Sequence, residues 1–513
     1  MKADQDLYKQ LRDLPKERLW SEEVERFNAA DERTRMERVA VIRAVGMIFG
    51  RFGTPDEKET VRGWLVALLN DPQEKIRRYA ANALPKIGAG EQGEVGILDV
   101  LRKSSEVREQ RHLGRALEKV GGAATLALAG EGVLPSLTEQ KVRAGVARRA
   151  QPATLDLKAR LPMHAGQRIH LRCRRGLEKL VKEEAGEKLG PGFRIGMVRP
   201  GCVTIEATEE RSLSDLYRLR CFATLGFHLG TLRDLAPDWA DDLAACIASP
   251  VARGIMTTAT KGVPRYRIDF TERGHQRGAI RRVVERAYAL APEILNDSRE
   301  APWSLDVIPT GEGRKESFVE LRPRLYPDPR LAYRQDDIPA ASHPPLAACM
   351  AWLAGPHAND VVWDPFCGSG LELVERALLG GVKALYGTDL DPKAIDIAKV
   401  NISSAGLSIA NVSLSCRDFR EALRDTEIRP SGVSLIITNP PLGRRIRVKD
   451  LHGLIADLFE VASVALQPGG RLVFANPLRL GPENPSLKLD YRQAIDMGGF
   501  ECRLEMYRKI GNG

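Results

Sequence analysis

Over residues 1–128 the apolar positions fall at helical spacing, and the pattern repeats. The segments 40–53, 75–88 and 108–121 align with offsets of 35 and 33 residues. Val45, Ala80 and Leu113 occupy one equivalent position, Phe49, Leu84 and Leu117 the next, and Phe52, Ile87 and Val120 a third. Each segment stops on glycine (Gly53, Gly88, Gly121), as helix C-termini do. Such a period predicts helix pairs stacked on one another. Residues 129–165 break it: the stretch is basic, carries prolines and reads as a linker.

From Ile169 the pattern changes. "RIHLRC" and "GCVTIEAT" read as strands around the amphipathic helix "RRGLEKLVKEEAGEKLG". A second α+β stretch follows. It has a helix around "WADDLAACIAS", strand "RYRIDFTE", helix "RGAIRRVVERAYALA", and strands "SLDVIP" and "SFVELRPR". Residues 346–513 alternate apolar strands with amphipathic helices: "VVWDPF", "ALYGTDL", "VSLSCRD", "VSLIITN" and "RLVFANP", then a closing "GFECRLEMYRK". That alternation predicts a largely parallel sheet with crossover helices, whose ligands bind at the carboxyl ends of the strands.

Composition narrows the class. With 513 residues, 43% hydrophobic and 28% charged, the chain reads as a globular protein of two to four domains. No apolar run approaches the ~20 residues that span a bilayer, and "MKADQDLYKQLRDL" has no apolar stretch of a signal peptide, so a cytoplasmic, membrane-free protein is expected. The eight cysteines form no CxxC pair, so neither a zinc site nor a redox motif is expected. A net charge of +9 permits a polyanionic partner.

Four strand ends are marked in the last region. "DPFCGSG" places Asp364, Phe366, Gly368 and Gly370 at the first turn, where glycine lets a ligand approach the backbone. Asp389 ends the next strand, 21 residues after Gly368, the offset of a ribose acceptor; the alternative is that Asp389 or Asp391 caps the following helix. Asp418 ends the third, where a carboxylate accepts from an adenine amino group or caps a turn. Asn439-Pro440-Pro441 ends the fourth: an amide braced by two prolines, followed by Leu442.

Together, "DPFCGSG…LVERALLG…YGTDLDPKAI…NPPLG" resembles the S-adenosylmethionine-dependent RNA guanine-N2 methyltransferases that carry a THUMP domain. "CRRGLEKLVKEE…GCVTIEAT…LYRLRCFATL" looks like the ferredoxin-like module preceding THUMP, residues 235–330 look like THUMP, and "AASHPPLAA" resembles the lead into the catalytic domain. "LLNDPQEKIRRYAANAL" resembles a HEAT-type repeat. The family resemblance covers roughly residues 165–505 and implies an α+β ferredoxin-like domain (166–234), a THUMP domain (235–330) and an α/β Rossmann-like methyltransferase domain (331–513); with the α-helical repeats (1–128) and linker (129–165) outside it, a multidomain chain is expected. The resemblance also implies S-adenosylmethionine as cofactor at Asp364, Phe366, Gly368, Gly370, Asp389, Asp418 and Asn439, no metal, and transfer RNA or ribosomal RNA as partner. Asn439, Pro440, Pro441 and Leu442 would hold the target amine. Two departures stand out: Leu442 where the family usually has Tyr or Phe, and Leu371-Glu372 where it tends to have Thr and an aliphatic residue. An adenine-N6 methyltransferase, or a non-catalytic RNA-binding factor on a decayed methyltransferase fold, are the alternatives.

Residues 265–286 hold seven arginines: Arg265, Arg267, Arg273, Arg277, Arg281, Arg282 and Arg286. That density suits phosphate contacts. Arg444, Arg445 and Arg447 beside the catalytic loop suit phosphates flanking a target. Arg77 and Arg78 would extend the track, although repeats more commonly hold a protein partner.

Overall fold

The computed structural model describes residues 2–128, 131, 134–150, 152–162, 166–233, 238–271, 277–310, 316–324, 328–339, 341–407, 411–424, 428–441 and 449–511. Two compact units emerge, each from two stretches of chain: residues 1–156 with 229–321, and 157–228 with 322–513.

The first unit begins as stacked helices. They include α1 (Ala40–Phe52), α2 (Pro55–Leu68), α3 (Glu74–Ile87), α4 (Gly90–Lys103), α5 (Val107–Val120) and α6 (Ser136–Ala150). α1, α3 and α5 are the three repeating segments, and they pack successively side by side with α6 after α5. Their aligned positions supply the core: Val45, Ala80 and Leu113, then Phe49, Leu84 and Leu117, are buried. Phe52 departs from its equivalents and is 62% exposed. The α1–α3 contact is close because glycine permits it: a Cβ on Gly50 would lie 2.6 Å from the Lys86 carbonyl oxygen. Arg77 ties α3 to α5 through a two-pronged pair with buried Glu109 (2.7 and 3.0 Å). Arg78 is itself buried and pairs with Glu74 at 2.7 Å. Neither is an outward-facing cation, contrary to the expectation of an RNA track through them.

The 129–165 stretch is not a plain linker. Its helix α6 packs on α5 and also on the helix Arg277–Leu290. Its basic residues are internal struts: Arg148 forks onto the carboxylate of Asp297 (2.9 Å twice), Arg143 donates to Tyr288 Oη (2.8 Å), and Arg149 donates to carbonyls of Glu118 and Gly121. In the α+β part, strands Leu295–Asn296, Arg265–Phe270 and Trp303–Thr310 pair in parallel, and Arg277–Leu290 and Trp239–Ile247 pack together.

The second unit opens with antiparallel strands Gln167–Arg172, Phe193–Arg199 and Cys202–Ala207, and the strand starting at Thr224 pairs with the first of them. The rest is a Rossmann-like α/β domain. Its strands are β1 (Asp360–Asp364), β2 (Val382–Asp389), β3 (Asn411–Cys416), β4 (Val433–Thr438), β5 (Leu466–Asn476), β6 (Leu487–Asp496) and β7 (Glu501–Lys509), in the order β3-β2-β1-β4-β5-β7-β6. The first five are parallel, and β7 is antiparallel to both β5 and β6. Helices α7 (Pro344–Ala354), α8 (Leu371–Ala377), α9 (Pro392–Ser404) and α10 (Leu451–Ala465) cover the sheet. β4 is buried along its length, as its unbroken apolar run predicts. β6 has no such run and is mostly exposed, which is why the sequence pattern does not reveal it. All eight cysteines are free thiols.

Candidate active site

The carboxyl ends of β1, β2 and β4 and the turn after β3 open into one cavity of about 1130 Å³. It brings together Phe366, Gly368, Asp389, Asp418, Asn439, Pro440 and Pro441, with Asp364 lying beneath the first turn.

Asp364, 0% exposed, ends β1. One carboxylate oxygen accepts from Phe366 N (3.0 Å) and Thr438 Oγ1 (2.5 Å); the other is buried with no hydrogen-bond partner. Burial, with repulsion from Glu372, holds its carboxyl well above the usual carboxylate range. Gly370 starts α8 at φ +83°, a left-handed conformation that favours glycine, with Ala398 of α9 close behind it.

Asp391 caps α9 by accepting from Lys393 N (2.9 Å). Asp389 lines the cavity and accepts from Gly368 N (2.9 Å) and Asp391 N (3.0 Å), which fixes the glycine turn to the second strand. Asp418 is less open than its position suggested: Arg420 pairs with it at 2.9 Å and also reaches Asp457 at 2.7 Å.

Asn439 is held by a chain of three side chains. Its Nδ2 donates to Ser342 Oγ (2.8 Å), and Ser342 Oγ donates to Glu372 Oε1. That bond assigns the amide: nitrogen toward Ser342, oxygen the other way. Asn439 Oδ1 is buried and has no partner. Glu372, 3% exposed, is pushed up to about 7 by burial. It is one of the residues at which the sequence departs from the family pattern.

Several site residues carry no sequence signal strong enough to find them. Asn401 of α9 donates to the carbonyls of Ser369 (2.9 Å) and Asp336 (3.1 Å) and accepts from Gln335 N (2.8 Å). It thereby clamps the 335–342 segment over the first turn, where Ser369 Oγ also donates to Asp337 (3.1 Å). A lone buried asparagine in an otherwise apolar helix face is the only trace. His343 lines the cavity; burial and the nearby Arg174, Arg334 and Arg330 push it down to about 4, so it is neutral at pH 7. Phe500, on the β6–β7 turn, also lines the cavity, as do Phe366 and Phe419.

The expected RNA-contacting arginines divide. Arg265, 1% exposed, faces Asp297 at 3.6 Å and cannot meet a phosphate. Arg267 pairs with Asp269, and Arg286 with Asp241 at 3.1 Å. Arg281 and Arg282 are exposed on the helix. Leu442, Arg273, Arg444, Arg445 and Arg447 lie outside the described residues, as does the side chain of Arg277. Among the described residues no cluster of His, Cys, Asp and Glu could hold a metal ion, and no helix is long and apolar enough to cross a membrane.

Residues 331–484 match the family described as UPF0020, RMKL-like, methyltransferase domain. Over 138 residues the chain is 30% identical to the probable tRNA (guanine(10)-N2)-dimethyltransferase of Methanothermococcus thermolithotrophicus, which is 26% of this chain and 81% of that one. The chain belongs to this methyltransferase family. The tRNA (guanine(10)-N2)-dimethyltransferase of Methanothermobacter thermautotrophicus is 29% identical over 197 residues, 38% of this chain and 52% of the relative. The chain thus spans about half the length of the first relatives it matches. The crystal structure of TrmN from Thermus thermophilus shares the fold, at TM-score 0.52 and 24% identity over 67% of this chain and all of that one.

The methyl donor of such an enzyme is S-adenosylmethionine, and the residues present fit it. The Gly368 turn bound by Asp389 lines the cavity as a polar cradle, with the unpartnered buried oxygen of Asp364 beneath it. When bound, the cofactor supplies an electrophilic methyl group.

Proposed function

We propose that the chain transfers a methyl group to N2 of a guanine in RNA, with transfer RNA as the substrate class. The observation that carries this reading is the buried, partnerless Asn439 Oδ1 at the lip of β4. An aromatic-ring amine is a poor nucleophile because its lone pair is delocalised. An acceptor that binds its N–H bonds turns that lone pair out of plane, toward the geometry and charge of the transition state. Ser342 and Glu372 keep the amide from flipping, and Pro440 and Pro441 fix the backbone beside it. The amine needs no base before attack, because its proton becomes acidic only once the new N–C bond forms. Phe500 offers a ring for stacking on an extruded base where Leu442 offers none.

The α+β region of residues 235–330 is proposed to be a THUMP module, with Arg281 and Arg282 as its outward phosphate contacts, and the stacked helices to be HEAT-like. Substitution of Asn439 by alanine, with tritiated-methyl transfer and calorimetry in parallel, tests the reading. Transfer is expected to fall about 10²- to 10³-fold while the cofactor still binds. Undiminished transfer refutes it, and nucleoside mass spectrometry of the product distinguishes guanine N2 from adenine N6.

A further inference from the structure

We propose that the common outward face of α1, α3 and α5 is a second RNA surface that grips phosphates rather than a protein partner. The inference extends the RNA reading above, and its evidence lies wholly in the first unit.

The two layers of the helical stack differ in charge. α1, α3 and α5 carry ten Lys and Arg against three Glu, whereas α2 and α4 carry four against six Asp and Glu. Of the ten, Arg43, Arg51, Lys86, Arg108, Arg111, Arg115 and Lys119 are exposed. Among the described residues none of these seven has a carboxylate within ion-pair distance, while Arg35, Arg38, Arg62, Arg77, Arg78 and Arg102 of the same stack all do. An ordinary solvated helix face intersperses both signs; here ten cations meet three glutamates, of which Glu74 is taken by Arg78 and Glu109 by Arg77.

Register places them together. Arg108, Arg111, Arg115 and Lys119 are spaced i, i+3, i+7 and i+11, one stripe of α5 opposite Leu113 and Leu117. Arg51, Lys86 and Lys119 occupy equivalent positions of the three repeating helices, so stacking aligns them across the layer. The α1–α3 seam closes at Gly50 against the backbone of Lys86 itself. Partial desolvation, and after it the nearby Arg43 and Lys119, lower the Lys86 ammonium. Beside them Arg51 lies over exposed Phe52 (5.0 Å), an aromatic among cations of the kind that stacks on unpaired bases. Unpaired cations on a ridge repel one another and gain most from a regular polyanion.

The test uses the full chain with Lys86, Arg115 and Lys119 all changed to alanine, and fluorescence anisotropy of a transfer RNA transcript at several KCl concentrations. We expect affinity at about 100 mM salt to fall about 10- to 100-fold, and the slope of log K against log[salt] to shrink by about 2, at 0.7–0.9 per lost phosphate contact. Cofactor-induced thermal stabilisation should be that of the wild type, which shows the variant folded. Unchanged affinity and slope overturn the proposal. So does displacement of the transcript by polyglutamate at equal charge, which would point to an acidic protein. Because anisotropy reads binding without turnover, a wild type that binds the transcript but methylates none of it refutes the catalytic reading and leaves this one standing.

Discussion

Unsatisfied polar groups mean different things in the two units. In the Rossmann-like unit one buried carboxylate gathers two interior cations. Buried Asp360 takes Arg376 (2.5 Å), Arg471 (2.7 Å) and Ser434 (2.7 Å) on its two oxygens. Among the buried side-chain atoms of that unit without a partner, which include His343 Nδ1 and Nε of Arg376 and Arg471, Asp364 Oδ2 and Asn439 Oδ1 are the oxygens at the carboxyl ends of β1 and β4. They cost stability where they sit, so they mark where a ligand completes the site. In the helical stack the informative groups are exposed cations, which solvent can reach. There the signal is collective: seven on one face without a carboxylate. A buried orphan is informative singly; an exposed one only as part of a pattern.

That contrast can be broken. Substituting Asp360 by alanine should be the most damaging change, leaving Arg376 and Arg471 as uncompensated buried charges at a cost of about 3–5 kcal/mol, read by chemical denaturation. Substituting Asn439 by alanine should lower kcat about 10²- to 10³-fold with the melting temperature held. If Asn439→Ala instead destabilises the fold and spares turnover, its lone oxygen is not a ligand acceptor. Removing the Arg148 guanidinium by alanine should cost about 1–3 kcal/mol, because Asp297 is left buried with a charge and no fork to hold it.

Glu372 gives a subtler test. Its native pKa lies near 7, above the ordinary glutamate value, so between about pH 4.5 and 7 the unfolded chain has released a proton that the folded chain keeps. Stability attributable to it therefore falls as pH rises through that window. Glu372→Gln keeps an acceptor for Ser342 and should flatten the dependence, as melting temperatures from pH 5 to 8 would register; a variant with the wild-type slope contradicts the assignment. The smallest effect should come from Arg281→Ala with Arg282→Ala, which removes phosphate contacts only and should reduce the salt slope of RNA binding by about 1–2 with turnover at saturating RNA unaltered.

Much of the catalytic half was legible because parallel strands announce themselves. β1, β2, β4 and β5 are apolar runs, and the carboxyl ends of β1, β2 and β4 carry the glycine, acid and amide that line the cavity. β6 was not, since an exposed edge strand needs no apolar run. Nor was the Asn439–Ser342–Glu372 chain, whose members stand 97 and 30 residues apart and meet only through the fold. Composition misled at Arg265 and in α6. Charge density reports how many cations a segment holds and nothing about direction, and those of Arg143, Arg148 and Arg265 turn inward.

The inward turn has a consequence for how such a protein can grow or be trimmed. Tyr288 donates to Glu139 and accepts from Arg143, and Gln140 donates to the Asn296 carbonyl, so the last stacked helix is stitched to the neighbouring α+β fold along several polar joints. The amino-terminal end is no freer, because Leu11, Leu19, Val24 and Phe27 are buried in the same core as α1, α3 and α5. Cutting between α5 and α6 would strip the stack's terminal brick of its cover, and deleting α6 would unmake both halves of that unit together.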